Sequence, residues 1–257
     1  MNFLVEKTHG KVVHDFAFHL LQAVEYANWS GRDKIRIKFL DPDKGSLSRN
    51  ITKPDKYIPV GSNEFVSRYL RQFFPQAERA LYPLNVPQVL FPYAGRRIAN
   101  IGKSSDLDIF HHNEKVFVKS NTVIKDKDNG VQTFYRNPHS ALFQDKILLD
   151  KYEGKQLSTV VKIDSEWRVL VFHNRIVHIA NYAGDCRLFP DVSRITRMVE
   201  VFSETAPVAY TLDVGVYADT FVLECHRFFS CGLYGFQDYS KLPYMLSQAW
   251  YEMLKIR

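Results

Sequence analysis

Apolar residues in the first seventy-five positions follow strand-like and helix-like spacings in turn. Phe3–Glu6 is a short apolar run typical of a buried strand. Apolar side chains then recur at helical spacing from Val12 to Ala27, and Lys34–Leu40 again favours a strand. This order predicts a βαβ unit with two parallel strands. A second helix is predicted from Ser62 to Phe74, with Ser62 or Asn63 as its N-cap.

From about Arg96 onward the pattern changes to short apolar segments that predict a β-rich region. The predicted strands are Lys115–Lys119, Thr159–Ile163, Trp167–Phe172, Arg175–Ala180, Thr211–Tyr217 and Phe221–Cys225. Two further helices are expected, near Ser193–Ser203 and Tyr244–Lys255. The change in pattern predicts an N-terminal α/β subdomain at residues 1–95, a second region at 96–257, and an α+β protein overall.

The composition is that of an ordinary globular protein, and the charge narrows the class of partner. The 257 residues are 46% hydrophobic and 24% charged, which excludes collagen-like, coiled-coil and largely disordered chains. Lys and Arg number 34 against 28 Asp and Glu, and the net charge of +6 suits a phosphate-bearing small molecule. Because no run of five or six basic residues occurs, a nucleic acid is the less favoured partner.

Cysteine usage and the N-terminal pattern bear on the compartment. The three cysteines, Cys186, Cys225 and Cys231, are an odd number with no spacing suited to a structural zinc site, which indicates a reducing compartment. A charge at Glu6 ends the first apolar run, so no signal peptide is expected. No stretch of about 18 apolar residues occurs, and we therefore expect a cytoplasmic protein with no membrane partner.

The segment from Leu212 to His226 predicts two apolar strands joined by a polar turn. A turn centred on Ala218 and Asp219 would place Asp213 directly opposite Glu224. Like charges opposed across a ladder destabilise it, so this pair calls for a cation, and Mg²⁺ favours such carboxylates. His226 returns to the same face two residues later, as a third ligand or as an ordinary surface histidine. A register displaced by one residue would instead send one carboxylate to solvent.

A second segment, Ile163 to Ala180, also predicts a strand, a turn and a strand. Glu166 and Arg168 lie two residues apart and therefore point to one side of the first strand. They form either a salt-bridged edge or an acceptor and a guanidinium directed into a cleft, where arginine binds phosphate in bidentate fashion. The segment alone leaves both interpretations open.

A third segment, Glu114 to Ser120, is a short buried-type strand that ends in Lys119. Lysine at a strand end is usually a surface charge. Here, however, a polar loop containing Asp126, Asp128, Asn129 and Gly130 follows it. A lysine beside a closing loop can bind phosphates and exclude water from them.

In this order the three segments resemble the ATP-grasp ligases, from about Lys115 to Gly235. In that family a V-x-V-K strand carries a phosphate-binding lysine, which Val116–Lys119 matches. A later strand gives backbone hydrogen bonds to adenine and precedes a glutamate for the ribose. Val160–Ile163, including Val161, Lys162 and Ile163, and then Glu166 are similar to that arrangement.

The family's phosphate-binding arginine and its metal hairpin also have counterparts. Arg168 lies in a strand that resembles the arginine strand, and the D…E-x-N metal motif is matched by Asp213 and Glu224. The third metal position holds His226 where the family usually has Asn. The stretch from Tyr57 to Val66 is similar to a clade of small phage and bacterial ATP-grasp proteins first catalogued as domains of unknown function.

The resemblance implies an ATP-grasp fold with a β-rich lid and an antiparallel-sheet ATP-binding subdomain. It also implies Mg²⁺ and ATP as cofactors, with Lys119 and Arg168 as the catalytic residues. The implied activity is that of a carboxylate–amine ligase, which forms an acylphosphate and releases ADP. Its partners would be a small-molecule or peptide carboxylate and an amine, and the oligomeric state stays open.

Three alternative functions remain to be weighed. The first is a catalytically inactive ATP-grasp protein that binds a nucleotide or a partner, an interpretation that His226 supports. The second is a nucleotidyltransferase, because Lys127 begins a K-x-x-G sequence that ends at Gly130. The third is a cysteine hydrolase at Cys225, although that residue is expected to be a small buried hydrophobe.

Overall fold

A parallel sheet and its helices form the N-terminal part of the protein. The computed structural model describes residues 1–31, 34–41, 47, 51–121, 129–136 and 141–256, with 141–145 described by backbone only. Strand β1 (Asn2–Glu6) lies between β2 (Arg36–Leu40) and β3 (Ile58–Val60), and both pairings are parallel. Helix α1 (Asp15–Trp29) connects β1 to the segment before β2. The predicted βαβ unit is confirmed.

Helix α2 (Asn63–Phe73) follows β3 directly. The Ser62 hydroxyl accepts a hydrogen bond from the Phe65 N–H at 3.1 Å, which satisfies one of the free donors of the first turn. Of the two predicted caps, Ser62 is therefore the N-cap. One face of α2 is buried in the N-terminal core, so the helix start lies fixed beside the carboxyl ends of β1 and β3.

A small antiparallel sheet follows, in the order β4-β7-β5-β6. Its strands are β4 (Ile98–Asn100), β5 (Glu114–Ser120), β6 (Gly130–Phe134) and β7 (Lys155–Thr159), and helix α3 (Ala141–Tyr152) precedes β7. The sheet has its own hydrophobic cluster, which includes Val116, Val118 and Leu157. The predicted strand at Thr159–Ile163 is wrong in its bounds, because the ladder ends at Thr159 and residues 160–163 are outside it.

A larger antiparallel sheet carries the rest of the chain, in the order β11-β10-β8-β9. Its strands are β8 (Ser165–Phe172), β9 (Arg175–Gly184), β10 (Ala209–Tyr217) and β11 (Asp219–Arg227), and the helices are α4 (Val192–Phe202) and α5 (Leu242–Met253). One face of the sheet packs against α4. On the other face Leu170 and Ala209 belong to the same hydrophobic cluster as the N-terminal sheet and α5. The edge of this second face remains free to hold polar groups.

None of the helices described combines the length and the apolar character that crossing a membrane requires.

Candidate active site

The β10–β11 hairpin places two carboxylates opposite each other. Asp213 pairs with Glu224 in the antiparallel ladder, as the sequence predicts. The turn, however, differs from the predicted one: Tyr217 pairs with Asp219, and only Ala218, with φ of 55°, lies between them. An irregularity after Asp213 leaves Leu223 as the extra residue and restores the predicted pairing. The bulge, rather than the turn, sets the register at the site.

Asp213, Glu224 and His226 form one cluster of potential metal ligands. One ligand atom from each lies within 4.8 Å of the other two. The His226 Nε2 is 2.8 Å from the Glu224 Oε1 and 4.0 Å from the Asp213 Oδ2. Asp213 is buried, and the other two are partly exposed. The structure therefore brings the three predicted metal residues together.

Each carboxylate of the cluster already has a cationic partner within the protein. The Arg168 guanidinium donates to both oxygens of Asp213, from Nε at 2.8 Å and from Nη2 at 2.7 Å. Both side chains are almost fully buried, and burial would lower the pKa of Arg168, but Asp213 raises it above its ordinary value. The like-charge repulsion expected across the hairpin is thus offset without a metal ion.

The ammonium of Lys119 forms a close ion pair with the second carboxylate, that of Glu224. Burial alone would raise the pKa of Glu224, but the hydrogen bond with His226 and the positive charge of Lys119 outweigh it. The pKa therefore lies well below its ordinary value. The phosphate-type lysine of β5 and the metal-type glutamate of β11 meet at one point, where the two antiparallel sheets face each other.

The depressed pKa of Glu224 predicts a pH-dependent contribution to stability. In metal-free buffer the wild type should exceed the Glu224→Gln variant by roughly 1–3 kcal/mol in free energy of unfolding at pH 7. Below the ordinary pKa of 4.5 the unfolded chain binds a proton that the native carboxylate does not, so this advantage should shrink as pH falls. Urea unfolding of both proteins at pH 7 and pH 3 measures the change. An equal difference at both pH values would contradict it.

A cleft of about 330 Å³ lies between the small sheet and the larger one. Its lining includes side chains or backbone of Phe117, Lys119, Glu224 and Glu166, and of the connecting residues Val160, Val161 and Ile163. Lys162 is not among the lining residues, because its ammonium pairs with Asp164 at 3.0 Å and lies over the Tyr217 ring. The stretch that the resemblance assigns to adenine therefore borders the cleft as irregular backbone with unpaired strand edges.

Tyr182 on β9 and Arg96 before β4 were not assigned to this cleft from the sequence. The Tyr182 hydroxyl donates to the Glu166 Oε2 at 2.7 Å, and its ring lies against the Arg168 guanidinium. Burial, with the nearby carboxylates, raises the pKa of Tyr182. Arg96 donates to the backbone oxygens of Val222 and Leu223, and burial lowers its pKa to about 10. Only the three-dimensional fold brings these residues to Glu166 and Glu224.

A second, larger cavity of about 680 Å³ adjoins the first. The two share three lining residues, Phe117, Lys119 and Glu224. The rest of the second cavity comes from α2, the segment after it and the chain beyond β10, including Asn63, Ser67, Tyr82, Asn85, Arg227 and Phe229. The Lys119–Glu224 pair therefore stands where the two cavities meet, with Arg168 and His226 on the side of the larger one.

Other residues considered from the sequence lie elsewhere. Arg97 pairs with Glu114, and Lys241 pairs with Asp238, so both are surface ion pairs outside the lining of the two cavities. Cys225 is fully buried on the opposite face from Glu224, and burial raises the pKa of its thiol, as expected of a structural residue.

The polar loop after Lys119 is only partly within the described residues. Asn129 accepts a hydrogen bond from the Ser120 N–H at 2.7 Å, and Gly130 begins β6 with φ of 130°, a conformation that favours glycine. Both residues line the larger cavity. Asp126, Asp128 and the K-x-x-G lysine, Lys127, lie outside the described residues.

The donor chemistry of the cluster fits Mg²⁺. Two carboxylates supply the oxygen ligands that a hard divalent cation prefers, and each carboxylate oxygen keeps a lone pair beyond its present hydrogen bond. Asp213 can therefore bind a cation without releasing Arg168. Glu224 would exchange Lys119 for the cation, and His226, already 2.8 Å from Glu224, would orient that carboxylate.

Comparison with known families agrees with this geometry. The model of an ATP-grasp domain, the second family of its clade, matches residues 93–242. The chain belongs to this clade of the ATP-grasp superfamily, and the resemblance noted from its motifs is confirmed. The α+β ATP-grasp fold class is confirmed with it. No curated protein sequence matches the chain.

Solved structures with the same fold cover nearly the whole chain at low identity. The D-alanyl-alanine synthetase A from Vibrio cholerae O1 biovar eltor str. N16961 has a TM-score of 0.52 and 11% identity, over 98% of either chain. The D-alanine–D-alanine ligase from Bacillus anthracis has a TM-score of 0.49 and 12% identity, over 99% of either chain. Macrocyclase MdnC bound with precursor peptide MdnA, from Microcystis aeruginosa MRC, has a TM-score of 0.46 and 11% identity, over 97% of this chain and 98% of that one. These similarities concern the fold.

Proposed function

We propose that the protein is an ATP-dependent carboxylate–amine ligase. The observation that supports it best is the meeting of two cavities at Lys119 and Glu224, beside the Asp213–Glu224–His226 cluster. A phosphoryl transfer between two substrates needs such a junction, because nucleotide and acceptor must approach one point from separate sites. The proposal divides the chain at residues 1–95 and 96–257, with ATP held by the second part.

In this proposal ATP occupies the smaller cleft. The backbone of 160–163, which is free of the β7 ladder, is available for hydrogen bonds to adenine, with Val161, Lys162 and Ile163 as the contributing residues. Glu166 accepts from the ribose hydroxyls and is held in place by the Tyr182 hydroxyl. Lys119 moves from Glu224 to the phosphates, since a phosphate carries more negative charge than one carboxylate.

Asp213 and Glu224 would hold Mg²⁺ at the junction, with His226 beside them. When bound, the ion supplies charge neutralisation between phosphate oxygens. Arg168 keeps Asp213 oriented through its two hydrogen bonds, and its Nη1 donates to the Gly232 oxygen at 3.3 Å. That contact links the arginine to the wall of the acceptor cavity.

The proposed reaction has two steps. A carboxylate oxygen of the first substrate attacks the γ-phosphorus of ATP, the bond from phosphorus to the bridging oxygen breaks, and ADP leaves. An amine then attacks the acyl carbon, phosphate leaves, and the nitrogen loses a proton to give an amide. Lys119 and Arg168 stabilise the negative charge of the transferring group, the largest demand on the site. Small-molecule or peptide carboxylates and amines are the substrates that this scheme requires.

Nucleotide binding can be tested by thermal unfolding. At Mg²⁺–ATP about 100-fold above its dissociation constant, the native state should gain about 2.7 kcal/mol and Tm should rise by roughly 5–10 °C. Lys119→Ala should weaken ATP binding by about tenfold or more, because it removes charge-assisted hydrogen bonds to phosphate. Lys115→Ala is the matched control, since Lys115 is exposed near the far end of the same strand. No stabilisation of the wild type at millimolar Mg²⁺–ATP would refute the proposed cleft.

The reaction class can be tested by product analysis. The protein is incubated with Mg²⁺–ATP and pools of amino acids, peptides and cell extract, and products are identified by mass spectrometry. The proposal expects ADP, phosphate and condensation products lighter by one water than their parts. Release of AMP and pyrophosphate, or an AMP adduct on Lys127, would replace it with nucleotidyl transfer. A Mg²⁺–ATP thermal shift without any ADP would indicate the inactive binding protein.

A further inference from the structure

The larger cavity holds one positive charge that the protein does not neutralise. Three permanently cationic side chains line it, Lys119, Arg168 and Arg227. The first two are paired, Lys119 with Glu224 and Arg168 with Asp213. Arg227 forms no hydrogen bond or ion pair with any other residue that the structure describes, and its Nε is buried without a partner. One guanidinium therefore remains for a ligand.

The surroundings of Arg227 explain why its charge is left over. The carboxylate that acts on it electrostatically is that of Glu252 on α5. Both oxygens of Glu252 accept hydrogen bonds from the Val208 N–H, at 3.1 and 3.0 Å, so this carboxylate is held at the start of β10. A buried donor without a partner costs free energy, and occupation of the cavity by an acceptor would remove that cost.

We propose that the larger cavity binds an amino acid or peptide through its free carboxylate, and that Arg227 is the group that recognises it. This inference rests on the proposed ligase function and names the substrate class of its second cavity. A guanidinium binds a carboxylate through two parallel hydrogen bonds, and one uncompensated positive charge matches a single negative one. A phosphate monoester, with a charge near −2, would leave the balance unmet.

The size of the cavity agrees with a peptide-like ligand. Its volume of about 680 Å³ is about twice that of the nucleotide cleft and within the range of pockets for drug-sized molecules. Asn63, Ser67 and Ser230 contribute polar groups to the wall, and Tyr82 and Phe229 contribute aromatic surface. A simple carboxylic acid would leave most of this lining without contacts. Arg227 thus anchors one end of a ligand whose other end reaches toward Lys119.

The test compares free acids with their amides. Binding of a dipeptide pool with free C-termini, and of the same pool as C-terminal amides, is measured by ligand-observed NMR with and without Mg²⁺–ADP. The wild type should bind the acids at least tenfold more tightly than the amides. Arg227→Gln should lose roughly tenfold to a hundredfold of the affinity for the acids, and Arg227→Lys should recover only part of it. Arg197→Gln, at an exposed pair on α4, is the control and should bind as the wild type does.

Each outcome supports or overturns the inference. Because Arg227 donates no hydrogen bond within the described residues, its replacement should leave the fold intact, which the thermal unfolding of each variant checks. Equal binding of acids and amides, equal binding by wild type and Arg227→Gln, or no binding of either pool would overturn the inference. The Mg²⁺–ATP thermal shift is measured on the same samples. Its absence from the wild type would refute the nucleotide site, whereas its retention in Arg227→Gln with loss of acid binding separates the two sites.

Discussion

Asp213→Asn is expected to lower the free energy of unfolding by about 3–5 kcal/mol, because it leaves the buried Arg168 guanidinium without its counter-charge. Only 1% of the Asp213 side chain and 11% of the Arg168 side chain is exposed, so solvent cannot replace the lost pair. The hairpin by itself suggests the opposite sign, since removing one of two opposed carboxylates relieves repulsion. The buried pair with Arg168 reverses that expectation.

Urea unfolding of the wild type and Asp213→Asn measures this difference. Glu200→Gln is the matched control, because Glu200 forms an exposed pair with Arg197 on α4 and its loss should cost less than about 1 kcal/mol. Replacing both partners, as Arg168→Met with Asp213→Leu, should recover most of the stability, since a buried pair exchanged for apolar groups is often neutral. A single variant as stable as the wild type would show that Arg168 and Asp213 are not paired in solution.

The sequence could predict the metal-type cluster because strand pairing follows simple rules. Period-two alternation places Glu224 and His226 on one face, and a short hairpin can bring only a few residues opposite Asp213. The turn was nevertheless wrongly centred, and the bulge at Leu223 compensated for it. Local sequence carries little signal for a bulge, whose position depends on how both strands pack against their neighbours.

Other parts of the fold were beyond prediction for reasons that can be named. Val160–Ile163 is as apolar as a strand, and periodicity cannot distinguish a strand from an irregular edge that borders a cleft. Helix α3 and strand β4 were missed, because β4 has only three residues and α3 has a weak apolar face. Arg227 was passed over since an unpaired guanidinium is recognised only when all its neighbours are known.

The ion pairs of the site suggest how nucleotide and metal affect each other. Lys119 and a metal ion compete for the carboxylate of Glu224, while that carboxylate and the phosphates compete for the ammonium of Lys119. Binding of Mg²⁺ at Glu224 frees Lys119, and phosphate then provides the partner that Lys119 has lost. Metal and nucleotide should therefore bind with positive coupling, each raising the affinity of the other by the same factor.

Glu224→Gln should reduce Mg²⁺-dependent ATP turnover by at least about a hundredfold, since it removes the carboxylate at which metal, Lys119 and both cavities meet. The variant should remain folded, because Glu224 is partly exposed and Lys119 can reach solvent. Two readouts are needed: ADP release with the acceptor pools, and the extra thermal stabilisation that Mg²⁺ adds to ATP alone. Both should be lost in Glu224→Gln and kept in Glu200→Gln. If turnover and the Mg²⁺ increment survive together, Glu224 is not a metal ligand, and the catalytic centre must lie away from the β10–β11 hairpin.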